Sequence, residues 1–105
     1  MKNKNCLVTG GSGFVGSHLA KRLIDLGCNV TIIDIVEPDS LIRKDVEFFN
    51  IDIRNSEKLN NVCNGIDHVF HTVSLVPISK ADKQFDLVNA SGTKNIIEAS
   101  KNQNV

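Results

Sequence analysis

The sequence has 105 residues, room for one small domain with one core. Its twelve acidic and twelve basic residues cancel, which excludes a global field for attracting nucleic acid or an anionic membrane. No apolar run approaches the roughly 20 residues of a membrane-spanning helix.

The opening residues, Met1-Lys2-Asn3-Lys4-Asn5, are basic like the start of a secretory leader. A glycine-rich and then charged stretch follows where a leader needs continuous apolar residues, so a cytoplasmic protein is expected. Cys6-Leu7-Val8-Thr9 reads as a short buried strand, and Gly10 to Gly13 as the loop after it. Val15, Leu19, Leu23 and Leu26 recur at helical spacing and predict one helix face, ended by Gly27. Val30 to Asp34 is β-branched and predicts a second strand. Residues 36–45, with Pro38 and several charges, read as a loop. Val46 to Asn50 reads as a third strand.

Ser56 is a candidate cap for a short helix carrying Leu59, Val62 and Cys63 and stopped at Gly65. His68 to His71 predicts a fourth strand. After a loop with Pro77, a last helix carries Phe85, Val88, Gly92, Ile96 and Ala99 on one stripe. Strands alternating with helices predict an α/β fold, a Rossmann-type doubly wound parallel sheet with helices on both faces. Right-handed crossovers give about four strands in the order 3-2-1-4, an incomplete sheet. The three cysteines, Cys6, Cys28 and Cys63, are odd in number and widely spaced, against a disulfide framework or a metal site. Each reads as a small buried hydrophobe.

The chemistry-bearing motif is Thr9-Gly10-Gly11-Ser12-Gly13-Phe14-Val15-Gly16. Gly11, Gly13 and Gly16 fit G-x-G-x-x-G; Gly10, Gly13 and Gly16 fit the wider G-x-x-G-x-x-G, and the register stays open. Either way a strand turns sharply into a helix whose first N–H groups and dipole favour a bound diphosphate. Asp34 lies 18 residues past Gly16, near the roughly 20 expected of the acid that binds ribose hydroxyls. A carboxylate there repels a 2′-phosphate, so NAD is favoured over NADP. Arg43 and Lys44 are the basic residues able to bend back toward that ribose. The loop of nucleotide triphosphatases needs Gly-Lys-Ser/Thr, whereas Gly16 is followed by Ser17-His18.

With those residues in view, the chain resembles the extended short-chain dehydrogenase/reductase superfamily. The likeness rests on Val8 to Gly16, on Asn50-Ile51-Asp52-Ile53-Arg54, on Asp67-His68-Val69-Phe70-His71-Thr72-Val73-Ser74 and on Val88 to Ala99. Within the superfamily it is most similar to the 3β-hydroxysteroid dehydrogenase and sterol-4-carboxylate 3-dehydrogenase branch, with sugar-nucleotide epimerases close behind. The resemblance implies an NAD site formed by Gly10, Gly11, Ser12, Gly13, Phe14, Val15, Gly16, Asp34 and Ile35. It implies that Asp52 binds the adenine amino group and that Ile53 packs on the ring. Thr72, Val73 and Ser74 would line the cofactor beside the nicotinamide ribose, with Val88 and Asn89 closing the site from below. Val73 stands where the family usually has alanine.

Members of the superfamily use a catalytic Tyr-x-x-x-Lys, and this sequence contains no tyrosine. No residue is therefore assigned a catalytic role and none a metal. Ser91-Gly92-Thr93-Lys94 matches Ser-x-x-Lys but has none of the motifs that accompany it in hydrolases. His71 reads as a satisfied strand-end histidine. The expectation is the NAD-binding, N-terminal portion of an oxidoreductase or epimerase acting on a hydroxyl-bearing small molecule. The alternative is a module that holds NAD without turnover. The last helix resembles one that often forms the family's dimer contact.

Overall fold

The computed structural model describes residues 2–72 and 82–105, the side chains of 82–91 excepted. Four strands and four helices alternate: β1 (Asn5–Thr9), α1 (Phe14–Asp25), β2 (Asn29–Asp34), α2 (Ser40–Arg43), β3 (Glu47–Asn50), α3 (Ser56–Val62), β4 (His68–His71) and α4 (Asp82–Asn102). All strand pairs are parallel and the order is β3-β2-β1-β4. This is the Rossmann-like sheet that the alternation predicts. Cys6 pairs in register with Val30 on one side and His68 on the other, so β1 is central.

The two central strands carry buried apolar runs, Cys6-Leu7-Val8 and Ile32-Ile33, because both of their faces are covered, whereas edge strand β3 is largely exposed. Period-two geometry sends alternate residues to opposite faces. Cys6, Val8, Val30 and Ile32 point to one side, where they meet Ala20 and Leu23 of α1. Leu7 and Ile33 point to the other, where they meet Leu59 of α3 and Ile96 and Ala99 of α4. Burying a side chain such as Leu59 completely is worth about 1.5–3 kcal/mol.

The chain stops its helices with left-handed residues. Gly27 has φ +84°, and the Cys28 and Gly27 amides donate to the Leu23 and Ile24 carbonyls, as the predicted C-terminal glycine requires. Gly65, at φ +79°, follows α3.

Three local expectations are corrected. The buried stripe of α1 is Gly16, Ala20 and Leu23, with Leu19 half-buried beside them; Val15 is 66% and Leu26 41% exposed. The helix sits so close to the sheet that its contact line runs through its smallest residues. Residues 36–45 contain α2, a single turn whose Asp39 Oδ1 accepts from the Leu41 amide at 2.9 Å. The cap of α3 is Asn55, whose Oδ1 accepts from the Lys58 amide, with Ser56 already inside the helix.

Among the described residues no helix is long and apolar enough to cross a membrane. Cys6 and Cys63 are buried, Cys28 is half-buried, and none of the three forms a disulfide. Burial, reinforced by the neighbouring Cys28 thiol, pushes Cys6 up to about 11. Cys28 is thus beside Cys6 in space despite their distance in sequence.

Candidate dinucleotide site

Strand order reverses between β1 and β4, because the chain builds outward through β2 and β3 and then returns to the other side of β1. At such a switch point the loops leaving two neighbouring strands diverge and open a crevice at their carboxyl ends. The glycine loop leaves β1 at that end.

Each glycine of the loop has its own reason. Gly10 adopts φ +69°, turning the chain out of β1 while its amide still donates to the Ile33 carbonyl at 2.9 Å. A Cβ on Gly11 would lie 2.6 Å from Ile32 side-chain atoms, and one on Gly16 would overlap the Gly10 carbonyl. Gly13 differs. Its backbone is extended (φ −80°), and an added Cβ would meet only the Gly10 carbonyl oxygen, at 3.4 Å. Among the described residues nothing demands glycine there. Both glycine registers are thus used, with Gly13 common to them and open toward solvent.

Gly13 caps α1 with no side-chain hydrogen bond, and no acidic residue lies in the first turn. The helix start therefore presents bare N–H groups and an uncompensated partial positive charge. Phe14, Val15, Ile35 and Val36 surround it and are 61–80% exposed. Clustered exposed apolar side chains around a bare helix start are a ligand-facing arrangement.

Asp34 ends β2 beside this loop. Its Oδ2 accepts from the Ser12 amide at 3.1 Å, and its Oδ1 from the Ile35 and Val36 amides at 2.7 and 3.2 Å. Ser12 Oγ donates to the Val36 carbonyl at 2.5 Å. These bonds clamp the loop after β2 against the glycine loop, so Asp34 braces the turn and stands at the site together. Arg43, which the sequence leaves free to bend toward Asp34, is held elsewhere. Its Nη1 donates to the Val46 carbonyl at 3.3 Å, its guanidinium lies 5.7 Å from the Phe48 ring, and its Nε is 3.5 Å from Glu37 Oε1.

Asp52 follows β3 and is gripped by Arg54. Oδ1 accepts from the Arg54 amide at 2.9 Å, and Oδ2 from Arg54 Nη2 at 2.7 Å. The Arg54 side chain beside it holds the Asp52 carboxyl below its ordinary range. Ile53 is 6% exposed and packs into the core under Gly92, where any Cβ would strike its Cδ1. The same contact explains a glycine in the middle of α4.

At the end of β4, Thr72 donates its amide to Thr9 Oγ1 at 3.1 Å and its hydroxyl to the Thr9 carbonyl at 2.5 Å. Thr9 Oγ1 lies 2.6 Å from His71 Nδ1, and His71 Nε2 lies 3.2 Å from Thr93 Oγ1. His71 is thus satisfied at both ring nitrogens, as expected, and burial lowers its pKa. The Thr9–His71–Thr93 chain was not legible in the sequence, since three single polar residues on three elements carry no periodic signal.

Val73 and Ser74 lie outside the described residues; Val88 and Asn89 lie on α4, with their side chains outside them. Among the described residues no group of His, Cys, Asp and Glu could hold a metal ion.

Comparison with known proteins gives one consistent answer. The sequence model of the 3-beta hydroxysteroid dehydrogenase/isomerase family matches residues 7–105. The mouse (Mus musculus) decarboxylating sterol-4-alpha-carboxylate 3-dehydrogenase is 38% identical over 99% of this chain and 28% of its own length. A crystal structure of Stenotrophomonas maltophila UDP-glucose-4-epimerase, with bound NAD and formylated UDP-arabinopyranose, superposes with a TM-score of 0.86. It is 27% identical and covers 98% of this chain and 35% of that one. The Thermus thermophilus UDP-glucose 4-epimerase in complex with NAD gives a TM-score of 0.83 at 30% identity, over 96% of this chain and 35% of that one. The chain spans about 28% of the mouse relative's length.

Proposed function

Because the chain belongs to the 3-beta hydroxysteroid dehydrogenase/isomerase family, we propose that it is the nicotinamide-dinucleotide-binding part of a dehydrogenase or epimerase that acts on a hydroxyl-bearing small molecule. The whole chain is then one N-terminal Rossmann domain, with the proton-transfer residues and substrate pocket supplied elsewhere. Three cysteines without a disulfide, two of them buried, suit a reducing compartment such as the cytoplasm.

The observation that carries this reading is Gly13. A glycine with no internal need for the missing side chain, at an uncapped helix start, suits a diphosphate brought against the backbone. Main-chain N–H groups of the Gly11–Gly16 segment would hold the phosphates, and Phe14 and Val15 would cover them. Asp34 would accept from the adenosine ribose hydroxyls, with Ile35 beside it and Asp52 and Ile53 toward the adenine. Thr72, Val73, Ser74, Val88 and Asn89 would line the nicotinamide end.

A nicotinamide bound there supplies a hydride acceptor or donor. This chain's own residues bind and orient it. They contain no tyrosine to exchange the hydroxyl proton, so these 105 residues alone are read as binding without turnover. Carboxylates at Asp34 and Glu37 with no basic residue between them favour NAD over NADP. The expected α4 contact between two copies belongs to the same proposal.

Calorimetric titration tests the reading. NAD is expected to bind, NADP more weakly, and Asp34→Ala to weaken NAD by about tenfold, the loss of a charge-assisted hydrogen-bond acceptor. An Asp34→Ala chain that stays folded and keeps its NAD affinity removes the ribose assignment.

A further inference from the structure

The loop after β2 carries an ion pair that the dinucleotide site does not need for binding. Val36 is locked to the glycine loop through Ser12 Oγ and Asp34 Oδ1. Glu37 is the next residue, so its backbone is fixed beside the site. Its carboxylate faces Arg43 Nε at 3.5 Å, a separation that permits attraction without a hydrogen bond. That Nε is buried and has no hydrogen-bond partner. The guanidinium is otherwise anchored by one 3.3 Å bond to the Val46 carbonyl and by the face of Phe48.

Register tells where this guanidinium lies relative to Asp34. Phe48 pairs with Ile32, and Asp34 is two residues further along β2. Two residues along a strand return to the same face after about 7 Å. Arg43 therefore sits on the face that carries the Asp34 side chain. A guanidinium is a forked donor matched to phosphate. Here it is matched by Glu37 instead, and Asp34 and Glu37 together outnumber it.

We propose that Glu37 is a specificity-determining residue: by engaging Arg43 it withholds the one nearby phosphate-binding fork from the 2′ position of the adenosine ribose, and so excludes a 2′-phosphorylated dinucleotide. The proposal rests on the reading that the glycine loop and Asp34 hold a dinucleotide. Glu37→Gln removes the negative charge that faces the guanidinium and leaves Asp34 in place. Glu37 is 68% exposed in its side chain, so the substitution leaves the core untouched.

The experiment titrates the 105-residue chain with NAD and with NADP at low salt, with circular dichroism confirming the fold of each variant. Glu37→Gln is expected to strengthen NADP by about three- to fivefold, the range open to an exposed ion pair, while NAD changes less than about twofold. The gain is expected to vanish in Glu37→Gln combined with Arg43→Met, and to shrink as salt screens the charges. An unchanged NADP-to-NAD ratio in Glu37→Gln overturns the proposal and leaves the dinucleotide reading standing. So does a gain that survives removal of Arg43. Wild-type chain that is folded and binds neither compound overturns both.

Discussion

On one face of the sheet α1 meets the strands through glycine; on the other, α3 and α4 meet them through Leu59, Ile96 and Ala99. The first includes contacts that leave no room for a Cβ, with Gly16 against the Gly10 carbonyl and Gly11 against the Ile32 side chain, beside Ala20 and Leu23 packed on Val8. The second is a filled core in which Ile51, Ile53, Leu59 and Cys63 are all less than a tenth exposed. Close approach on the first face fixes where α1 begins and keeps its start uncovered. Side-chain volume on the second supplies much of the stability. The proposed phosphate and ribose contacts lie at the end of the first face, so substitutions in the two regions should have separable effects.

The largest effect belongs to the filled face. Leu59→Ala leaves a cavity under α3 and is expected to lower the unfolding free energy by about 2–5 kcal/mol. Urea unfolding measures this. NAD affinity of the molecules that remain folded should be unchanged; a matching loss of affinity would mean that the two faces are not independent.

The glycine face should divide within itself. Gly16→Ala forces a Cβ onto the Gly10 carbonyl and is expected to cost about 1–3 kcal/mol of stability together with NAD binding. Gly13→Ala adds a Cβ where only a 3.4 Å contact waits. Its stability should stay within about 0.5 kcal/mol of wild type, as for a surface substitution. Its NAD affinity should fall about tenfold, since the new methyl occupies the space left for phosphate. Gly13→Ala binding NAD as wild type does would remove the observation on which the proposed function stands.

Much of this division was legible in the sequence. Strand and helix alternate with strong β-branched runs, and Gly27 marks a helix end by the left-handed geometry that it alone adopts cheaply. The glycine loop and Asp34 stand at the predicted places, because turn geometry restricts those positions to a few residue types. Hydrophobic spacing favours large residues, so Val15 was read into the face that Gly16 and Ala20 occupy. The four-residue α2 is too short to show a period. The Glu37–Arg43 and His71 contacts depend on which elements meet, which only the topology decides.

The smallest expected effect tests the seam between the two faces, where His71 joins β1 to α4. Thr9 Oγ1 accepts from the Thr72 amide and lies within hydrogen-bond distance of His71 Nδ1, as Thr93 Oγ1 does of Nε2, so the two hydroxyls can satisfy a neutral ring in either tautomer. That network suits a neutral ring, and burial lowers the pKa below the ordinary 6.5. Between the folded value and 6.5 the unfolded chain binds more protons, so stability rises with pH across this window. The His71 contribution is complete above 6.5 and is lost as pH falls through the folded value. The slope from one such group is at most about 1.4 kcal/mol per pH unit. Melting temperatures of wild type and His71→Gln compared from pH 7.5 down to pH 5 isolate it. The wild type should lose more than the variant on acidification, because the amide cannot titrate; parallel curves would show that the ring is free to protonate where it sits.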